Sequence, residues 1–104
     1  MQIAFDDPGQ RRLYEDPTFN AHGYDALVVR RFRRAVLFVA SAGGWRDVES
    51  TRSLGVRRVD GLGPHWYSVD LVERWLLRVR LERGAGPERV AIGDVLGSEL
   101  GVVR

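Results

Sequence analysis

The 104-residue sequence predicts an α+β domain, in which a short N-terminal strand and two to three helices precede a three- to four-stranded antiparallel sheet with helices packed on one face. Two observations predict this class. Apolar residues recur with helical spacing between Tyr24 and about Ala42, and the apolar period changes to two from Val56 onward. Because no repeat, low-complexity stretch or linker interrupts the chain, we expect one domain over residues 1–104.

The N-terminal half is expected to contain one strand and the helices. Ile3 and Phe5 share one face of a short strand, which residues 6–9 end. A short helix over residues 10–16 ends before Pro17, because the residue before a proline avoids the α conformation. A long helix and a further short helix at residues 45–54 follow. The residues predicted to face inward on these two helices are Tyr24, Leu27, Val28, Phe32, Ala35, Val36, Val39, Trp45, Val48 and Leu54.

The C-terminal half is expected to form the sheet. Strands are predicted at residues 56–59, 65–71, 74–83 and 89–96, with a hairpin turn near Val72 and Glu73. In the third of these strands one face is apolar and the other is rich in arginine. The apolar face comprises Trp75, Leu77, Val79 and Leu81, and the opposite face comprises Arg74, Leu76, Arg78 and Arg80.

The composition excludes several kinds of site. The chain has no cysteine, which excludes a disulfide framework, an iron–sulfur cluster and a thiolate nucleophile. Its two histidines, His22 and His65, are far apart in sequence, so we expect no metal and no cofactor. All 16 basic residues are arginine, against 14 acidic residues, and each guanidinium can bind a phosphate or a carboxylate with two hydrogen bonds.

The location predicted for the protein is the cytoplasm. The longest apolar run, residues 35–40, has six residues, whereas a membrane span needs about 18. The N-terminal letters MQIAFDD also lack the basic-then-apolar pattern of a secretory signal. We therefore expect no association with a membrane.

Several stretches together resemble a bacterial protein family. They are FDDPGQRRLYED, RDVESTRSL, RRVDGLGPHWYSVDLVERWLLRVRLE and VAIGD, in this order along the chain. The most specific part is the spacing between YSV at residues 67–69 and RWLLRVRLE at residues 74–82. In these features the chain is similar to the HigB-like killer proteins of the RelE/ParE toxin superfamily.

The resemblance implies the toxin of a type II toxin–antitoxin system with a RelE-like fold. Such a toxin enters the ribosome and cuts messenger RNA without a metal, because the 2′-hydroxyl of the RNA attacks the adjacent phosphate while the protein supplies positive charge, a proton donor and a proton acceptor. The implied partners are a HigA-like antitoxin, the ribosome and messenger RNA. The toxin is expected to be monomeric and to form a hetero-oligomer with its antitoxin.

Candidate site residues follow from their positions on the predicted strands and the long helix. The candidates for catalysis are His65, Tyr67 and Asp94 as acid, base or orienting groups, together with Arg78, which would contact the phosphate. The candidates for phosphate contact are Arg57, Arg58, Arg80, Arg30 and Arg34. Since adjacent strand residues point to opposite faces, only one of Arg57 and Arg58 is expected to reach a shared site.

The chain departs from the family pattern at three positions. Leu76 follows the strand tryptophan where the family has arginine, and Val95 and Leu96 follow Asp94 where many members have tyrosine and histidine. The segment GSELGVVR after the last strand is also additional to the family ending. Two alternatives therefore remain open: a ParE-like toxin that targets gyrase, and a catalytically weakened RelE-fold protein that only binds its antitoxin or another protein.

Overall fold

The structure is a computed structural model that describes residues 1–20 and 23–97. His22 and the segment from residue 98 onward lie outside the described residues. Within the described ranges the secondary-structure elements follow the predicted order. They are β1 (Gln2–Phe5), α1 (Pro8–Glu15), α2 (Ala26–Ser41), α3 (Trp45–Ser50), a 3₁₀ turn (Arg52–Leu54), β2 (Arg57–Arg58), β3 (Trp66–Val72), β4 (Trp75–Glu82) and β5 (Arg89–Gly97).

The five strands form one mixed sheet in the order β1-β5-β4-β3-β2. Strands β2 to β5 pair antiparallel in succession, which confirms the predicted antiparallel sheet for the C-terminal half. The N-terminal strand departs from an all-antiparallel sheet, because β1 pairs parallel with β5, with Gln2 opposite Arg89 and Phe5 opposite Ile92. Two parallel strands need a long crossover connection between them. Here the helices and strands β2, β3 and β4 lie between β1 and β5 in the sequence.

Helix α1 begins two residues before the predicted start. Pro8 occupies its first turn, and the side chain of Asp7 caps the helix by accepting a hydrogen bond from the Gly9 amide at 3.2 Å. Proline suits this position because the first amides of a helix have no partner within the helix. The letters DDPG therefore end β1 and also begin α1.

The hydrophobic core lies between the helices and one face of the sheet. Val28, Val29, Phe32, Ala35, Val36 and Val39 of α2 pack against alternate residues of β3, β4 and β5, which are Val69, Leu71, Leu77, Val79, Leu81, Val90 and Ile92. Trp45, Val48 and Leu54 are buried as predicted. The prediction for Leu27 was wrong: its side chain is 38% exposed and Val29 is buried in its place, because Leu27 lies four and seven residues before Arg31 and Arg34, on their side of the helix.

Within the described ranges no helix is both long enough and apolar enough to cross a membrane.

Candidate functional site: the open face of the sheet

The face of the sheet opposite the helices carries the charged strand residues, and we call it the open face. Along β4 it presents Leu76, Arg78, Arg80 and Glu82, which alternate with the buried residues Leu77, Val79 and Leu81. The register places Trp66 beside Arg80 and Ser68 beside Arg78. The predicted division of this strand into an apolar and an arginine-rich face is confirmed for β4, but the prediction for Arg74 was wrong, because Arg74 lies in the turn before the strand with φ +70°.

Arg78 and Asp94 form the shortest ion pair on this face, with 2.6 Å between Nη2 and Oδ2. A β-bulge brings them together: Leu77 pairs with Val95 and Val79 pairs with Ile92, so both Gly93 and Asp94 lie opposite Arg78. The Asp94 side chain is 62% exposed and that of Arg78 is 28% exposed. The carboxylate is thus accessible while the guanidinium is held close to the sheet.

Gly93 is required for this bulge. A Cβ atom at this position would lie 2.9 Å from the carbonyl oxygen of Arg78, which is closer than packed atoms tolerate. Beneath the bulge, Gln10 of α1 is 4% exposed and its Nε2 donates a 3.0 Å hydrogen bond to the carbonyl oxygen of Gly93. Helix α1 therefore supports the backbone that presents Asp94.

Arg80 is held by two carboxylates. Its Nη1 and Nη2 donate to the two carboxylate oxygens of Asp6 at 3.3 and 3.2 Å, and Nη2 also donates to Glu82 at 2.9 Å. Glu82 in turn accepts a 2.7 Å hydrogen bond from Arg89. The hydrogen bonds from Arg80 and then Arg89 lower the pKa of Glu82, and the hydrogen bond to Glu82 raises the pKa of Arg80.

Trp66 adds an aromatic surface next to these arginines. The guanidinium carbon of Arg80 lies 5.2 Å from the ring centroid of Trp66, and that of Arg78 lies 6.0 Å from it. Both distances are within the range of cation–π attraction. Around Trp66 the open face thus combines the guanidinium groups of Arg78 and Arg80, accessible carboxylates and an aromatic ring.

The other predicted site residues are distributed over the molecule. Arg57 pairs with Asp70 at 3.3 Å, whereas Arg58, on the opposite face, donates to the carbonyl oxygen of Pro64, also at 3.3 Å. This confirms that the adjacent arginines point to opposite faces. Arg30 and Arg34 are exposed on the outer side of α2, and neither has an ion pair or a side-chain hydrogen bond within residues 1–20 and 23–97.

His65 and Tyr67 are not brought into contact with Arg78 and Asp94. Tyr67 lies opposite Val79, and its ring is 4.8 Å from that of Trp45, so it belongs to the helix-covered side of the sheet. His65 is exposed, and its carbonyl oxygen accepts a hydrogen bond from the Leu81 amide. Since Arg78 pairs with Ser68, His65 lies about 10 Å along β3 from that pair.

Three residues near the site were not singled out from the sequence. Asp6 and Glu82 bind Arg80, and only the fold brings Asp6 to it across 74 positions of sequence. Tyr24, predicted as a core residue, packs edge-on against Trp75 with 5.7 Å between ring centroids. Burial raises the pKa of the Tyr24 phenol first, and the negative charges of Asp94 and Asp7 add to the increase, so this phenol keeps its proton near the site.

Leu76, Val95 and Leu96, which differ from the pattern of the resembled family, lie in different surroundings. Leu76 lies on the open face beside Leu96, its partner across β4 and β5. Val95 is 7% exposed and belongs to the core. Among the described residues, no group of three or more His, Asp or Glu side chains has the arrangement of a metal site.

Comparisons of the chain with protein-family models, with curated proteins and with solved structures give no match.

Proposed function

We propose that this protein is the toxin of a type II toxin–antitoxin pair, a metal-independent endoribonuclease that cuts messenger RNA on the ribosome and is neutralised by a HigA-like antitoxin. The observation that carries the proposal is the grouping of Arg78, Arg80, Trp66 and Asp94 on one accessible face of the sheet. The sequence resemblance and the order of strands and helices support the same assignment.

The chemistry needs a cation for the phosphate and a base for the 2′-hydroxyl. Arg78 and Arg80 supply guanidinium groups that stabilise the charge developing on the phosphate oxygens. Asp94 is the exposed carboxylate that accepts the proton as the 2′-oxygen bonds to phosphorus. The bond from phosphorus to the 5′-oxygen then breaks, which gives a 2′,3′-cyclic phosphate on one fragment and a 5′-hydroxyl on the other.

The leaving 5′-oxygen needs a proton donor. Tyr24, whose raised pKa keeps it protonated, is the candidate on which the charge of Asp94 acts. His65, the residue before β3, is a second candidate, which lies about 10 Å along the strand from the pair of Arg78 and Ser68. Trp66 offers a flat ring on which an RNA base can stack, and such stacking does not depend on the identity of the base.

A second candidate function is supported by the charge balance of the open face. Each of Arg57, Arg78, Arg80 and Arg89 is paired with at least one carboxylate, and these carboxylates belong to Asp70, Asp94, Asp6 and Glu82. A phosphate has to displace these carboxylates, and Leu76 and Leu96 add apolar surface beside them. These observations favour the alternative of a catalytically weakened protein that binds only its antitoxin or another protein.

Induction of the chain alone in a bacterial host tests the proposal. We expect growth arrest, and messenger RNA fragments with 5′-hydroxyl ends that disappear when the start codon of the message is removed. Arg78→Gln and Asp94→Asn are expected to abolish both effects, whereas Arg11→Gln, on the exposed side of α1, is the matched control. Arrest without cuts indicates another target such as gyrase, and no arrest indicates the binding-only protein.

A further inference from the structure

A groove lies at one end of the open face, where α2, the 3₁₀ turn and the β3–β4 hairpin meet. It encloses about 410 Å³. Its lining includes the guanidinium-bearing residues Arg31, Arg57 and Arg74, the hydroxyl-bearing Ser53, and Leu76 of the open face. Because Leu76 is two residues before Arg78 on the same face of β4, the groove continues the surface that carries Arg78 and Asp94.

Two of the three arginines are fixed by a single hydrogen bond each. Nη1 of Arg31 donates to the carbonyl oxygen of Leu71 at 3.2 Å, and Nη2 of Arg57 donates to Asp70 at 3.3 Å. A guanidinium has five N–H donors, so both groups are oriented and still have donors for a ligand. Gly55, at φ +57°, lets the Asp70 carboxylate approach, since a Cβ atom there would collide with it.

Arg74 occupies a backbone conformation that arginine rarely adopts. It has φ +70° in the two-residue turn between β3 and β4, and it is the one described residue other than glycine with a positive φ. This conformation costs a non-glycine residue about 1 kcal/mol or more, a cost that glycine would not have. Arginine therefore lowers stability at this turn while it places a third cation at the groove.

The charge of the groove matches a phosphodiester. Arg31, Arg57 and Arg74 contribute +3, and Asp70 and Glu73 contribute −2, which leaves +1. A phosphodiester has one negative charge and two oxygens that a guanidinium fork can bind together. Arg74 lies four residues from Arg78, about 13 Å along the strand, so a strand of RNA on the open face would reach the groove within a few nucleotides.

We propose that this groove is a second phosphate-binding site, which holds the backbone of single-stranded RNA beyond the nucleotides on the Arg78–Arg80 face. The inference rests on the proposed function, because it extends the path of the same RNA strand. It assigns Arg31, Arg57 and Arg74 to binding of the strand rather than to cleavage.

The experiment measures the affinity of the purified protein for 2′-O-methyl RNA, which has no free 2′-hydroxyl and is not cut. A dinucleotide has a single phosphodiester, whereas an octanucleotide is long enough to span both sites. We expect Arg74→Gly and Arg31→Gln each to weaken octanucleotide binding about threefold to tenfold and to weaken dinucleotide binding less, because only the octanucleotide contacts both sites at once. Arg74→Gly suits the turn, so loss of folding does not confound the result.

Two controls complete the design. Arg74→Lys keeps the charge and is expected to retain most of the octanucleotide affinity, and Arg11→Gln removes a distant exposed arginine and is expected to have no effect. If Arg78→Gln weakens octanucleotide binding while the groove variants behave like Arg11→Gln, the groove assignment is overturned and the proposed function stands. If the octanucleotide does not bind the unaltered protein at all, the groove assignment is overturned, whereas the proposed function is decided separately by the induction experiment.

Discussion

At the scale of single residues, Gly93 permits the β-bulge that places Asp94 beside Arg78. Gly93→Ala is expected to lower the free energy of unfolding by about 1–3 kcal/mol, because the added methyl group meets the Arg78 carbonyl oxygen at 2.9 Å, and the strands have to move apart. RNA cleavage should also decrease in Gly93→Ala, because the same backbone shift displaces Asp94, the next residue. Urea unfolding and the cleavage assay measure the two effects.

Gly84→Ala is the matched control for this substitution. Gly84 is exposed, and a Cβ atom there would have no heavy atom within 4 Å. An equal loss of stability in both variants would contradict the role assigned to the close contact at Gly93.

Tyr24 gives a residue-scale prediction about pH. Its pKa is raised in the folded protein by burial and then by Asp94 and Asp7, so the folded state holds this proton more tightly than the unfolded chain does. The resulting stability is present below the ordinary tyrosine pKa of about 10 and is lost as the pH rises through the higher folded-state value. We expect Tyr24→Phe to make the free energy of unfolding fall less between neutral and strongly alkaline pH.

The same pKa can be measured directly by the ultraviolet absorbance of the phenolate. Asp94→Asn removes one of the negative charges that raise the pKa of Tyr24, so the Tyr24 transition should move to lower pH. A transition that stays in place in Asp94→Asn would mean that Asp94 does not act on Tyr24.

At the scale of secondary-structure elements, the ion pairs of β4 join it to its neighbours. Arg80 and Glu82 of β4 connect to Asp6 after β1 and to Arg89 of β5. Because the pKa of Glu82 is lowered, its contribution to stability is present above its unfolded pKa of about 4.3 and is lost as the pH falls through the folded-state value.

We therefore expect Glu82→Gln to lower the free energy of unfolding at neutral pH by about 1 kcal/mol or less, since the pair is partly exposed. The variant should also lose less stability than the unaltered protein on acidification. Chemical unfolding at neutral and at acidic pH tests both statements, with Glu15→Gln, in the exposed Glu15–Arg11 pair, as the comparison. If Glu82→Gln and the unaltered protein lose the same free energy of unfolding on acidification, the contribution assigned to Glu82 is contradicted.

A helix or strand could be predicted from the sequence where the spacing of its own apolar residues determines its type. Apolar and polar letters alternate over residues 67–71 of β3 and 77–82 of β4, so the burial of Val69, Leu71, Leu77, Val79 and Leu81 follows from the sequence alone. The start of α1 was missed, because DDPG also reads as a strand ending. The parallel pairing of β1 with β5 was not predictable from local pattern, since it joins segments about ninety positions apart. The same distance explains why Asp6 and Gln10 were not recognised as part of the site.

At the scale of the whole molecule, two groups of arginines differ in their pairing. Those on the open face are paired with carboxylates, whereas Arg30 and Arg34 lie exposed on α2, a helix whose sequence ALVVRRFRRAVLFVAS contains no acidic residue. Beside them, the side chains of Leu37 and Phe38 are 56% and 39% exposed. Among the described residues, Arg30 and Arg34 therefore place unpaired positive charge on the helical side, opposite the candidate cleavage face.

This arrangement predicts separate roles for the two sides in the proposed toxin. Phosphate contacts on the helical side should position the protein on the ribosome without sequence preference, and each contact releases counterions. We expect Arg30→Gln with Arg34→Gln to weaken ribosome binding at low salt and to reduce the dependence of the logarithm of affinity on the logarithm of salt concentration by roughly two. Arg11→Gln should leave that slope unchanged. If the double variant retains the full slope, the helical side does not contact ribosomal phosphates, and its exposed leucine and phenylalanine beside arginine favour the antitoxin as its partner instead.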